Sequence, residues 1–509
     1  MNREAASKGE PTTVAGWLDY WAAEQPDAVF LGELTAAAPM MTYLDVARTV
    51  RQRAVALIQL GYGGGARLAF APENTMDSAV WLLAINYCGA CAVLLDPNAA
   101  DARKADFQQR SGATPFRDIR DSAEQICGQL PPVSAQEVSY RNPDDEAFIV
   151  FTSGSTGRSQ GVRLSDRNLL SNASDLRDHH SLSPSSRLAT CLPLLHVNAL
   201  GFSLVTSLTA GGRVGFTPAF EPNSFLHGCD EFGSEIINVV PSVLVVLCKV
   251  RSAPPPLDKL RYFLSAAGPL HASTAAACRT TFGKRVVQGY GMSEATNFSC
   301  TLPPSLSDAA YARLMLDDVP TVGVPLPGNE VRIVAAGVAG TNGSDIGEVE
   351  VRGDNVMLGY MDDEQATEAV ITDGWLRTGD LGFFRHDAEV DGRLLVLTGR
   401  SKHVAKISGQ SLGLEEVESL VLYDERVHGV IAVRLADPIT GEAIGLCLAT
   451  DGSVAEHEIR DMVADYFGAS FRPRDVLFVD TVPLLASGKI SRTAAAELFS
   501  NPTTSEVPT

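Results

Sequence analysis

The chain has 509 residues, 45% apolar and 20% charged, an ordinary globular composition too long for a single core. Its 61 acidic side chains outnumber 41 basic ones, for a formal net charge of −20. That balance argues against nonspecific binding to nucleic acid or anionic membranes, and it obliges any anionic substrate to find a local cluster of positive groups.

The opening stretch, "MNREAASKGEPTTVAGW", lacks the apolar segment of a signal peptide, and no apolar run is long enough for a membrane span. A cytoplasmic protein is the expectation. "RLAFAPEN" reads as a buried strand, and "TMDSAVWLLAINYCG" as a helix running into the strand "CAVLLDPN". Cys88 and Cys91 in that run have redox-motif spacing, but with no second ligand pair nearby, buried packing is the better reading. Neither metal thiolates nor disulfides are expected from the nine scattered cysteines. "EAFIVFTSG", "GGRVGFTP" and "EIINVVPS" follow as strands and "SFLHGCDEFG" as a helix, so the class is α/β with largely parallel sheets. From about Asn329, "NEVRIVAAG", "GEVEVRGDNVMLGY" and "GRLLVLTGR" predict a small β-rich subdomain. After Arg400, "SLGLEEVESLVLY", "VHGVIAVRL", "AIGLCLAT" and "EHEIRDMVADYFG" predict a small α+β domain. The expected division is a large domain over 1–400 and a small one over 401–509, hinged near Ser401 and Lys402. The tail "NPTTSEVPT" is expected to be disordered.

Five stretches carry polar residues in patterns suited to chemistry. "FTSGSTGRSQGV" (Phe151 to Val162) follows a strand; its glycines let backbone amides turn inward on an anion, and its hydroxyls add donors. GxxxxGK[ST] does not fit it, and a Ser/Gly-rich surface turn is the other reading. "QGYGMSEAT" sets an aromatic, a glycine turn and Glu294 close together; the ring suits a base and the carboxylate suits Mg²⁺, or Glu294 simply caps a loop. "GWLRTGDLG" offers Asp380 in a tight turn, either for ribose hydroxyls or as a solvated side chain. His196 in "PLLHVNALG" reads as a core histidine or a functional one. Lys489 in "PLLASGKISR" reads as a solvated lysine on a glycine turn.

In this order and spacing, these stretches resemble the ANL superfamily of adenylating enzymes: acyl- and aryl-CoA synthetases, peptide-synthetase adenylation domains and luciferases. The resemblance runs from about Trp17 to Arg492 and includes "GEVEVRGDNVMLGY" and "LTGRSKHVAKISGQSLGLEEVE". It implies that ATP and a carboxylic acid give an acyl-adenylate and pyrophosphate, and that the acyl group then passes to a thiol, that of CoA or of a carrier-protein pantetheine. By resemblance, Thr152, Ser153, Gly154, Ser155, Thr156 and Gly157 cradle the pyrophosphate end, and Glu294 with Thr156 serves Mg²⁺. Tyr290 stacks on adenine, in the nucleotide pocket of Ala267, Gly268, Pro269, Gly289, Gly291, Met292 and Ser293. Asp380 and Arg400 hold the ribose, and Lys489 bridges the carboxylate and the α-phosphate. His196, Asn198, Ser265 and Met292 line the acyl pocket. Lys402 is the pivot on which the small domain turns, presenting the face at Ser408 and Gly409 for the thiol step.

The family's loop usually reads TSG-[ST]-TG-x-P-K-G, whereas here Ser159 and Gln160 stand at the Pro and Lys positions. Gln160 can still donate a hydrogen bond, and Arg158 or Arg163 is the expected nearby charge. "SGQSLGLEEVE" also departs from the pattern of relatives that use CoA, leaving open a carrier protein or an amine as acceptor. A low-turnover nucleotide- or acyl-binding regulator is the reading from another class. Neither "HVNALGFS" nor "INVVPSV" offers an aspartate for an amino acid's ammonium, so the acid expected is not an amino acid.

Overall fold

The computed structural model describes residues 9–35, 39–130, 141–152, 159–250, 253–316, 319–339, 345–400, 403–407, 410–438, 440–484 and 490–500. The predicted tail, Lys489, Lys402, Ser408, Gly409 and the loop residues Ser153, Gly154, Ser155, Thr156 and Gly157 lie outside the described residues.

Two large sheets form the first four hundred residues. The larger has nine strands; its middle runs Arg285–Gly291, Tyr262–Ser265, Ile236–Val239, Arg187–Thr190, Arg213–Phe216 and Val29–Glu33, each parallel to the next. Antiparallel strands close both edges, Phe298–Thr301 beside Val324–Pro325 on one and Met40–Thr42 on the other. The second sheet has six strands, ordered Gly359–Tyr360, Gln160–Ser165, Glu146–Thr152, Cys91–Leu94, Arg67–Phe70 and Thr114–Pro115. The parallel sheets predicted from the chain are thus present. The strand Gln160–Ser165, which turns back antiparallel on Glu146–Thr152, was not foreseen.

Local chemistry accounts for the elements. Thr75 caps the helix Met76–Tyr87 by accepting from the Ser78 amide at 3.2 Å. Every residue of that helix except Asp77 is buried, because it lies inside the molecule, so its sequence shows no polar stripe. Cys88 and Cys91 are both buried, in keeping with packing rather than redox chemistry. One continuous apolar core runs from Val14 to Leu394.

The β-rich segment is a five-stranded antiparallel sheet, Asn329–Ala339, Asp345–Gly353, Trp375–Arg385 and Ile371–Thr372, with Leu394–Arg400 also on Trp375–Arg385. Val331, Val349, Val351 and Leu395 pack it onto Tyr290 and Cys300 of the nine-stranded sheet. Beyond Arg400 a separate core from Ala405 to Phe471 unites a second five-stranded sheet with the helices Leu414–Val421 and Glu456–Phe467. Glu415 of the first helix packs closely on Gly399: a Cβ there would come within 2.6 Å of its Oε2.

Candidate functional site

Four neighbouring parallel strands of the nine-stranded sheet end on the same side, and nearly every candidate residue of that half follows one of their carboxyl ends. Thr190 leads to His196 and Asn198, Ser265 to Ala267, Gly268 and Pro269, and Gly291 to Met292, Ser293 and Glu294; Val239 lies between the first two. Ligands of open α/β sheets bind outside the carboxyl ends of the strands. Ala267 takes a left-handed φ of 66°, a conformation costly for a residue with a Cβ and concentrated at functional turns. The side chains of Ala267 and Pro269 stand open to solvent.

The glycines of "GYG" are not a turn. Gly289 and Gly291 are extended within Arg285–Gly291, and the close approach of the next strand demands them. A Cβ on Gly291 would fall 1.6 Å from the Asn297 carbonyl oxygen, and one on Gly289 would meet the Phe298 ring at 2.8 Å. The chain then reverses through a short 3₁₀ turn, Ser293–Ala295, that carries Glu294 inward. Asn355 holds this turn: its Nδ2 donates to the Ala295 carbonyl at 2.9 Å, and its own carbonyl accepts from Thr296 Oγ1 at 2.5 Å.

Asp380 likewise does not sit in a tight turn. It belongs to the strand Trp375–Arg385, just past a bulge where the pairing slips between Glu348 and Glu350. Thr378 builds the bulge by donating to the Val349 carbonyl at 2.7 Å and accepting from the Asp380 amide at 3.1 Å. Bulges re-aim side chains, and this one turns Asp380 inward. Its Oδ1 lies 2.7 Å from Arg400 Nε, directly opposite on Leu394–Arg400, and its Oδ2 accepts from the Tyr290 hydroxyl at 2.8 Å.

Glu294 is 8% exposed, and its Oε1 accepts from the Tyr360 hydroxyl at 2.9 Å. Tyr360 belongs to the six-stranded sheet, while Asp380 and Arg400 belong to the β-rich one. Two tyrosine hydroxyls therefore tie three sheets together around Asp380, Arg400 and Glu294. Burial pushes both carboxyls above the usual carboxylate range; Arg400 draws each back, while the charge of Asp380 raises Glu294 further and that of Glu415 raises Asp380. The pair gains from any added cation.

That charge state fits Mg²⁺, a hard cation that takes one or two carboxylate oxygens and keeps water and phosphate oxygens as its other ligands. Glu294 is the carboxylate that would hold it. Asp380 fits the ribose: each of its oxygens has one protein partner and a second lone pair to accept a hydroxyl. Tyr290 is only 7% exposed, its ring packed among Cys300, Val322, Val331 and Val349, so the geometry gives it a clear part in fixing Asp380.

Thr152 ends its strand, opposite Gln160 on the returning strand. Gln160 Nε2 donates to Asp363 Oδ2 at 3.4 Å, and Asp363 caps the helix Glu364–Val370 through the Ala366 amide. Arg163 is committed elsewhere, its Nε 2.6 Å from Glu146 Oε2. The described cations beside the loop are Arg103 and Arg110, which donate to Ser159 Oγ at 3.3 Å and to the Ser159 carbonyl at 2.8 Å. The sequence reading missed both, along with Tyr360. Arg103 and Arg110 lie about fifty residues before the loop, with no motif to mark them. The "GY" of the quoted "GEVEVRGDNVMLGY" did mark Tyr360, but not its partner.

On the acyl side, Asn198 opens a π-helical stretch, Asn198–Thr206, a form frequent at functional sites. Its Oδ1 accepts from Asn238 Nδ2 at 3.0 Å. Asn198 Nδ2 and Ser265 Oγ are buried without a hydrogen-bond partner, beside the strand Ile236–Val239 that carries Asn238 and Val239. His196 is half-buried two residues before Asn198, and Met292 is half-buried past the strand Arg285–Gly291. A separate cavity of about 630 Å³, lined by Tyr62, Arg67, Ser111, Glu146 and Arg163, shares no residue with this site.

Comparison with known proteins identifies the family and the fold. The family model described as AMP-binding enzyme matches residues 18–361, and the one described as AMP-binding enzyme C-terminal domain matches residues 416–489. The chain is 26% identical to 4-coumarate–CoA ligase 2 of Oryza sativa subsp. japonica, over 92% of this chain and 90% of that one. It is 30% identical to the oxalate–CoA ligase of Arabidopsis thaliana, over 72% and 70%. Its fold superposes on ATP-bound MatB from Rhodopseudomonas palustris with a TM-score of 0.83 at 24% identity, covering 96% of this chain and all of that one.

Proposed function

The chain belongs to the AMP-binding enzymes, and we propose how its own residues carry out the two steps of an acid–thiol ligase. It activates a carboxylic acid with ATP to an acyl-adenylate, releasing pyrophosphate, and transfers the acyl group to CoA. The observation that carries the residue assignment is the junction of three sheets at Asp380, Arg400 and Glu294, held by Tyr290 and Tyr360 at the carboxyl ends of the parallel strands.

In this reading adenine lies against the exposed turn Ala267–Pro269 and the edge of Tyr290, and the ribose hydroxyls donate to Asp380 beside Arg400. Bound Mg²⁺ would neutralise phosphate charge next to Glu294. Thr152 and the loop after it take the pyrophosphate end. The acid enters beside His196, Asn198, Ser265 and Met292. Two unpartnered polar atoms there suit an acid carrying its own hydrogen-bonding group. An anion must approach a polyanion, so alignment and charge neutralisation supply most of the catalysis.

The remaining parts of the proposal rest on the family resemblance. Lys489, on a small domain spanning 401–509, completes the first step, and that domain then turns on Lys402 to bring the face at Gly409 to the adenylate. A cytoplasmic location completes the reading; it suits a ligase that draws on ATP and CoA, and no described helix is long and apolar enough to cross a membrane.

Lys489→Ala tests the division of labour. Losing one preorganised cation should lower adenylation by about a hundredfold or more. Thioester formation from supplied acyl-adenylate should change far less. Equal losses in both half-reactions would remove Lys489 from the first step.

A further inference from the structure

Nine cysteines are free, and most are buried singly in apolar surroundings. Cys248 and Cys278 differ, because their sulfurs lie 3.4 Å apart although the residues are thirty positions apart in the chain. Cys278 is buried in the helix Ala272–Phe282. Cys248 is the last residue of the helix Pro241–Cys248 and is partly open to solvent. We propose that Cys248 and Cys278 form an oxidation site, in which hydrogen peroxide converts the two thiols reversibly into a disulfide.

The geometry gives each thiol a distinct part. Cys248 is the one a peroxide can reach. The hydrogen-bonding contact with Cys278 holds the Cys248 thiol below its ordinary range, while the same contact and burial raise Cys278. An accessible, more acidic thiol next to a second cysteine is the arrangement of redox-responsive pairs. In the first step the Cys248 thiolate attacks a peroxide oxygen. An S–O bond forms, the O–O bond breaks, and the departing hydroxide takes a proton to become water. In the second, the Cys278 sulfur attacks the sulfenic acid as its proton is lost. The S–S bond forms, the S–O bond breaks, and a second water leaves. Two electrons pass from the thiols to the peroxide.

The sulfurs must close from 3.4 Å to about 2.05 Å, the length of a disulfide. Cys248 can supply most of that movement because it stands at a helix end, where hydrogen bonding is incomplete. The bond would join the helix that follows the Asn238 strand to the helix that follows the Ala267 turn, elements on the acyl and adenine sides of the site.

The test treats the full-length protein with hydrogen peroxide, blocks the remaining thiols, and maps peptides by mass spectrometry without reduction. The expected product is one peptide pair joining Cys248 to Cys278, lighter by two hydrogens and lost on adding dithiothreitol. Cys278→Ser should leave Cys248 as a sulfenic acid that dimedone traps, and Cys248→Ser should leave Cys278 reduced at the same peroxide dose. Cys88 and Cys91, both buried, should stay reduced in all three proteins. Absence of the 248–278 pair while other cysteines oxidise first would overturn the proposal. So would dimedone capture at Cys278 in the Cys248→Ser protein.

Discussion

The hydroxyl that Tyr290 donates to Asp380, and the Arg400 nitrogen on the other oxygen, fix a buried carboxylate that burial alone would drive towards protonation. Tyr290→Phe keeps the ring and its packing but removes one of these holds. A hydrogen bond to a charged group is worth about 1.5–3 kcal/mol. The expected outcome is a rise of about tenfold in the KM for ATP, with a smaller change in kcat, because the loss falls on positioning the ribose acceptor. The preference for ATP over 2′- or 3′-deoxy-ATP should shrink in the variant. An unchanged preference would show that Asp380 is not the ribose acceptor or that Tyr290 does not position it. This site was only half legible in the chain. Asp380 and Tyr290 were both singled out, but as a turn residue and a stacking ring. Their contact spans ninety positions, and the bulge that creates it depends on Thr378 bonding to a neighbouring strand.

At the scale of elements, the hairpin Glu146–Thr152 and Gln160–Ser165 carries the departure from the family's loop. The sequence raised the question of a missing lysine charge, and the geometry shows what surrounds that position. Gln160 reaches Asp363 at the head of the helix Glu364–Val370, and the guanidiniums of Arg103 and Arg110 hold the loop's exit at Ser159. A lysine at 160 would meet the Asp363 carboxylate in an exposed pair worth no more than about 1 kcal/mol. Gln160→Lys is therefore expected to change the KM for ATP by less than about threefold. Gln160→Lys combined with Asp363→Asn should lower it further, since the ammonium then has no local carboxylate. Steady-state kinetics on both proteins checks this; a tenfold drop in KM for the single variant would place residue 160 on the phosphates. The strand Gln160–Ser165 itself escaped sequence reading because "GRSQGVRLS" runs polar and glycine-rich, and its pairing partner Glu146–Thr152 supplies most of the apolar surface. A strand with a continuous apolar run, such as Cys91–Leu94, was readable because parallel sheets are covered on both faces.

Across the whole molecule, the order of elements foretold an α/β body, a β-rich segment and a final α+β unit, since local patterning sets each element and short connections set its neighbours. The meeting of three sheets at one site was not legible, because it rests on side chains from positions 290, 294, 360, 380 and 400, whose contacts only the folded chain makes. That junction supports the central claim: one pocket holds ATP, Mg²⁺ and a carboxylic acid, and its first product is an acyl-adenylate. The most direct measurement incubates the full-length protein with ATP, Mg²⁺, CoA and a panel of non-amino carboxylic acids, and quantifies all products by mass spectrometry. The account predicts AMP, pyrophosphate and one acyl-CoA in equal amounts, with acyl-adenylate accumulating when CoA is left out. ADP and phosphate in place of AMP and pyrophosphate, or thioester formed with no adenylate detectable in the absence of CoA, would contradict it.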